Sequence, residues 1–168
     1  RACADGMIGT GLAALAHADG YTILLGAAGP NAIVPTLNPK APYDALKDFA
    51  EVSHFANTIY VMVVNPTLPV DSIKQLVALA KAKPAQLTIG SSGTATPAFI
   101  SGELFRVAAA INVTPVFYKG AAAPVIEVLA GQITMAIETI SPILPHVRAG
   151  KLRALGVTSS RRSTQMPE

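Results

Sequence analysis

Gln86-Leu87-Thr88-Ile89-Gly90-Ser91-Ser92-Gly93-Thr94-Ala95-Thr96-Pro97 decides how the chain is read. Gln86 to Gly90 is short, apolar and β-branched enough to be a strand, and the hydroxyl- and glycine-rich residues after it form a turn. Thr96 followed by Pro97 is an N-cap with proline at the first helical position, where no amide hydrogen is needed. The helix then runs through Ile100, Leu104 and Val107 to about Ala110. A strand feeding a helix through a glycine-rich turn is half of a β-α-β crossover.

The same rhythm extends both ways. Upstream, Ile59 to Val64 is a strand ending at Asn65-Pro66. Asp71 or Ser72 then caps a helix with Ile73, Leu76, Val77 and Ala80 at helical spacing, stopped by Pro84. Downstream come a strand Thr114 to Tyr118, a helix Pro124 to Ala130 stopped by Gly131, and a strand Ile133 to Glu138. Ser141-Pro142 then cap and open a helix that Gly150 stops, before a strand Leu152 to Thr158. Near the start, Ile8 to His17 reads as a helix and Thr22 to Gly26 as a strand. Ala27 to Pro42 holds too many Gly, Pro and Asn residues for a regular helix. Strands alternating with helices imply right-handed crossovers and a mainly parallel α/β sheet.

Composition agrees. The 168 residues are 51% hydrophobic and 14% charged, with mean hydropathy +0.43, no Trp and few aromatics, as expected for buried strands covered by Ala-rich helices. The net charge of +3 is scattered apart from Arg161-Arg162. It supplies neither the basic stripe nor the stacking aromatics of a nucleic-acid module, so no nucleic-acid partner is expected. One cysteine, Cys3, excludes an intramolecular disulfide and a cysteine metal cluster. His17, His54 and His146 lack the spacing of paired metal ligands, so neither a metal nor a cofactor is expected. No apolar run is long enough to span a bilayer. The start at Arg1, inside a loop leading to a helix, reads as a truncated or processed end.

In open sheets of this kind ligands bind beyond the carboxyl ends of the strands. This singles out Ala27 to Pro35, Gly90 to Pro97, Tyr118 to Ala123 and Glu138 to Pro142. The Gly90–Pro97 loop offers four hydroxyls and backbone donors at a helix N-terminus, suited to a carboxylate or phosphate. The same residues also suit an ordinary capped turn. Lys119 is either an anion-attracting point charge or a solvated strand end. Glu138, ending an apolar strand, either takes a ligand amine or hydroxyl, holds Lys119, or simply supplies negative charge ahead of the Ser141-Pro142 helix. No G-x-S-x-G, Ser-x-x-Lys, Walker or G-x-G-x-x-G pattern is present. Asp44, Asp48, Glu51, Glu103 and Glu127 read as surface residues, leaving no paired acid and base and no catalytic residue.

Several segments together resemble the solute receptors of tripartite tricarboxylate transporters, also called Bug receptors. They are Asp19-Gly20-Tyr21-Thr22 with Leu24-Leu25-Gly26, Pro42-Tyr43-Asp44 with Lys47-Asp48-Phe49, Ser91-Ser92-Gly93-Thr94, and Gly102-Glu103-Leu104-Phe105. The series continues with Val116 to Gly120, Leu129-Ala130-Gly131-Gln132, Pro145-His146 and Ala149 to Leu155. The order is collinear over nearly the whole chain. The departures are Cys3, Asp5 and Met7, where glycines and an asparagine are typical, and Glu138, where aspartate is commoner.

The resemblance implies a type II periplasmic-binding-protein fold, with two α/β lobes closing on a small anionic solute: a di- or tricarboxylate, an amino acid or an aromatic acid. It implies a non-enzymatic, periplasmic receptor that presents its solute to membrane transporter subunits. Carried over, the ligand-contacting residues fall on Ala27, Ala28, Gly29 and Asn31, on Ser91, Ser92, Gly93, Thr94 and Thr96, and on Tyr118, Lys119, Gly120 and Glu138. Lobe one would comprise residues 1–63 and 154–168, lacking parts found in longer family members and so incomplete. Lobe two would comprise 64–153. The alternatives are the effector-binding domain of a bacterial transcription regulator, which needs a helix-turn-helix upstream, and a small α/β hydrolase using Ser91, Ser92 or Lys119.

Overall fold

The computed structural model describes residues 6–54 and 56–166. Cys3 and Asp5 lie outside them. The described residues form two compact units, one holding the residues up to Ala56 together with Ala95–Pro97, the other Asn57–Thr94 and the residues from Ala98 onward.

The larger unit is an α/β/α sandwich. Five strands, β1 (Tyr60–Val64), β2 (Thr88–Ser91), β3 (Thr114–Phe117), β4 (Met135–Thr139) and β5 (Arg153–Val157), lie in the order β3-β2-β4-β1-β5. β2 runs parallel to β3 and β4, while β1 runs antiparallel to both β4 and β5. Four strands therefore share one direction, and β1 is inserted between two of them in reverse. The mainly parallel expectation holds for β2 to β5, and β1 departs from it by lying reversed between β4 and β5.

Side-chain alternation sorts each strand between two cores. Met62, Val64, Met135 and Ile137 pack on one face with Leu76 and Ala80 of α3 (Ile73–Ala82), backed by Phe105 and Ala109 of α4 (Pro97–Ala109). Val61, Val63 and Ala136 pack on the other with Val125 and Val128 of α5 (Ala122–Leu129) and Ile143 of α6 (Ile140–Arg148). Ser72 caps α3, its hydroxyl accepting the Gln75 amide at 3.3 Å. α6 begins two residues earlier than expected, with Thr139 rather than Ser141 at the N-cap, because β4 runs straight into the helix.

In the smaller unit, α1 (Met7–Ala14) is followed by a π-helical turn, Gly29–Ile33, continuing into α2 (Val34–Leu37). The breaker-rich stretch was expected to be irregular. It is helical because Pro30 stands in the first turn, where a missing amide costs no hydrogen bond, and the Asn31 amide donates to the Ala27 carbonyl at 3.0 Å. The Tyr43 hydroxyl donates to the Pro30 carbonyl at 2.6 Å. Thr22 to Gly26, expected as a strand, joins no sheet, and Tyr21, Ile23 and Leu25 are 92%, 83% and 73% exposed. A strand exists only against a partner ladder, and none among the described residues pairs with it.

The compact units divide after Ala56, with Ala95–Pro97 grouped with the first. β1 and β5 both hydrogen-bond within the sheet that holds β2 to β4, so both belong to its core.

Gly90 in β2 is a packing glycine. A Cβ there would lie 2.4 Å from Ile133 Cδ1 and 2.8 Å from Pro124 Cβ. Gly90→Ala is expected to destabilise the protein by about 1–3 kcal/mol through overpacking, read as a lower urea midpoint. Leu104→Ala on the exposed face of α4 is expected to leave the midpoint almost unchanged.

Candidate functional site

Because β2, β3 and β4 are parallel, their carboxyl ends meet at one edge of the sheet. Ser91 ends β2, Tyr118-Lys119-Gly120 follows β3, and Glu138 lies in the last turn of β4 before Thr139. The reversed β1 brings its first residue, Tyr60, to the same edge, paired with Thr139. The edge is tied together by backbone: the Tyr118 amide donates to the Ser91 carbonyl at 2.9 Å, and the Thr158 amide to the Tyr60 carbonyl at 2.9 Å.

Glu138 is the organising side chain. It is 1% exposed, and its Oε1 accepts the Ser92 backbone amide at 2.9 Å. The Ser92 hydroxyl and the Thr139 amide add further hydrogen bonds to the carboxylate. Burial pushes the Glu138 carboxyl up from its ordinary value, and the Ser92 and Thr139 hydrogen bonds pull it part of the way back. Tyr60 is raised first by its own burial and then by the Glu138 charge.

The three sequence readings of Glu138 are thereby narrowed. Its carboxylate faces Ser92, and among the described residues no ion pair joins it to Lys119. Lys119 is exposed at the rim. Gly120 supports the turn after it with φ of +86°, a left-handed conformation that glycine adopts without strain.

In the Ser91–Thr96 loop, the Ser91 hydroxyl donates to the Gly93 carbonyl at 3.2 Å, and Thr94 is exposed. The Ser91 hydroxyl is turned onto its own loop and the Ser92 amide onto the Glu138 carboxylate, an arrangement that anchors the loop to the strand end. In the smaller unit, Ala27 and Ala28 are exposed, Gly29 is buried, and the Asn31 Oδ1 is a buried acceptor without a hydrogen-bond partner. Tyr60 was missed by sequence reasoning. The signal was present in an aromatic heading an apolar strand, but only the antiparallel placement of β1 puts it at this edge.

A second cleft, of about 370 Å³, lies at the opposite edge of the sheet, lined by Asn65, Thr67, Gln86, Thr88, Gln132 and Thr134 among others. Its polar groups are neutral amides and hydroxyls, so it carries no cation to attract an anion. Among the described residues, no group of three or more His, Cys, Asp and Glu residues is placed to hold a metal, and no helix is long and apolar enough to cross a membrane.

Replacing Glu138 separates its charge from its hydrogen bonds. Glu138→Ala leaves the half-buried Ser92 amide unpaired and is expected to cost about 1–3 kcal/mol. Glu138→Gln keeps an acceptor for the Ser92 amide. Since the folded-state carboxyl is raised, its stabilising contribution is complete below the ordinary carboxylate range and is lost as pH rises through the folded-state value. The melting temperature of Glu138→Gln is therefore expected to match wild type in acid and to gain on it toward neutrality, as followed by circular dichroism.

Known proteins resemble this chain over its whole length. The family model described as "Tripartite tricarboxylate transporter family receptor" matches residues 1–168. Protein BugT of Bordetella pertussis is 41% identical over 170 residues, covering 99% of this chain and 52% of BugT. A solved structure described as that of a periplasmic transporter superposes with a TM-score of 0.88 at 36% identity, over 96% of this chain and 54% of the other. The structure of R. palustris Rpa4515 with adipate gives a TM-score of 0.86 at 30% identity, over 94% of this chain and 52% of that one. The chain thus spans about half the length of the relatives it matches.

Proposed function

Because the chain belongs to the tripartite tricarboxylate transporter family receptors, we propose that it is part of a periplasmic, non-catalytic receptor that captures a small organic carboxylate for membrane transporter subunits. The observation that carries this reading is the loop at the end of β2. It stands at the carboxyl edge of a mainly parallel sheet, ahead of the N-terminus of the 13-residue helix α4, where partial positive charge and backbone donors favour an anion.

The proposed solute contacts are Ser91, Ser92, Gly93, Thr94 and Thr96 on that loop and Tyr118, Lys119 and Gly120 after β3. Glu138 acts beneath the loop through Ser92. In the smaller unit, taken by itself, Ala27, Ala28, Gly29 and Asn31 are proposed as contacts, and the buried, unpartnered Asn31 Oδ1 is an acceptor that a bridging water would satisfy. Lys119 adds long-range attraction for an anion. The adipate in the R. palustris relative supports a dicarboxylate among the solute classes. A transcription-regulator domain and a hydrolase are not favoured, since the family is one of transport receptors and the serines of the β2 loop are used structurally.

Adipate, malate, citrate, glutamate and nicotinate are to be screened by thermal shift. A ligand that binds only the folded state is expected to raise the melting temperature in a concentration-dependent way, with about 2.7 kcal/mol of added stability at a hundredfold excess over Kd. Lys119→Ala is expected to weaken the responding acid several-fold and to flatten its salt dependence. A flat response to all five acids speaks against the reading.

A further inference from the structure

The Glu138 side chain poses a physical problem for an anion receptor: a fully buried carboxylate lies one hydrogen bond beneath the loop proposed to hold another carboxylate. The Ser92 amide reaches Glu138 at 2.9 Å, and Glu138 is 1% exposed. No cation offsets its charge among the described residues, because the ion pairs there are Lys47–Asp44, Arg106–Glu103 and Arg153–Asp71. β1, β2, α5 and α6 pack against β4. β1 contributes Tyr60, whose hydroxyl senses the Glu138 charge, and β2 with its loop contributes serines and no ionisable group. α5 contributes Glu127, which acts on Tyr118. α6 starts beside Glu138 and carries His146 and Arg148 only in its last turn, a helix length away.

We propose that capture of an anionic carboxylate on the Ser91–Thr94 loop is coupled to uptake of one proton by Glu138. The inference rests on the carboxylate-receptor reading above. Two like charges in a poorly solvated site cannot both remain ionised without cost, and the one lacking a cation or bulk water takes the proton. The balance is one solute carboxylate plus one proton from the buffer, giving a bound carboxylate above a neutral Glu138 carboxylic acid.

Ser92 gives this step a structural consequence. While Glu138 is ionised, the Ser92 amide and hydroxyl both donate to it. Once protonated, the Glu138 O–H donates to the Ser92 oxygen, the other carboxyl oxygen keeps the Ser92 amide, and the Ser92 hydrogen is released to donate to the solute. Glu138 is thus a positioning residue that converts a proton into a solute-facing donor. A zwitterionic solute whose ammonium lies near the loop would need less of this uptake, so Glu138 also biases the receptor among acids.

The test is calorimetric titration of the full chain with adipate, malate and citrate in PIPES and in imidazole, whose ionisation enthalpies differ. Between about pH 6.5 and 8.5, where the carboxylates of adipate and malate are already ionised, affinity is expected to fall by up to about tenfold per pH unit. The observed binding enthalpy is expected to differ between the buffers by up to one proton per solute. Glu138→Gln, checked for folding by circular dichroism, is expected to abolish both the buffer difference and the pH slope while retaining binding. Ser92→Ala is expected to weaken binding and keep proton uptake. Equal wild-type enthalpies in the two buffers, or undiminished uptake in Glu138→Gln, overturn the inference and leave the receptor reading standing. Binding of none of the three acids at any pH overturns the inference, and the receptor reading falls with it when glutamate and nicotinate also fail to bind.

Discussion

β4 holds the larger unit together because it is hydrogen-bonded on both edges, to β2 on one side and to β1 on the other. Every backbone donor and acceptor in a buried strand must be paired, and this strand meets that demand with a parallel neighbour, β2, and an antiparallel one, β1. Met135 and Ile137 fill one core and Ala136 the other. Both helix layers are therefore anchored on the same five residues. The position of β4 also fixes the site: its carboxyl end is carried to the sheet edge between the end of β2 and the start of β1.

Burying a carboxylate there has a cost that only hydrogen bonds offset. Glu138 recovers part of it from Ser92 and Thr139, so loop and strand end are one unit. The Ser92 amide, which from sequence looked available to an external anion, is committed to an internal one. What remains for a solute is set by how the Glu138–Ser92 pair shares its protons, and this makes the charge state of a buried group part of recognition.

The two halves of the chain differ in how much of their structure their own sequence carries. α3, α4 and α5 were legible from apolar spacing, from caps such as Ser72 and from stops such as Gly131, because helical hydrogen bonds are local. Gln86 to Gly90 and Ile133 to Glu138 were legible as strands, since buried runs flanked by turns have few alternatives. Tyr21 to Gly26 has the same strand-like composition and forms no strand. Composition records willingness to pair, whereas pairing needs a partner elsewhere. The Ala27–Asn31 segment failed in the opposite sense: its breakers fall in the first turn of a helix, where they break nothing.

The sequence by itself determined the α/β class, the sheet-and-helix rhythm from Ile59 onward, the glycine- and serine-rich loop ahead of α4, and the family, because these follow from local periodicity and collinear motifs. Tertiary structure alone decided the reversed insertion of β1, the arrival of Tyr60 at the functional edge, and the commitment of Glu138 to Ser92 rather than to Lys119. Each of these joins residues 46 or more positions apart. No local pattern encodes such a pairing; it is fixed by which arrangement leaves the fewest buried polar groups without a partner.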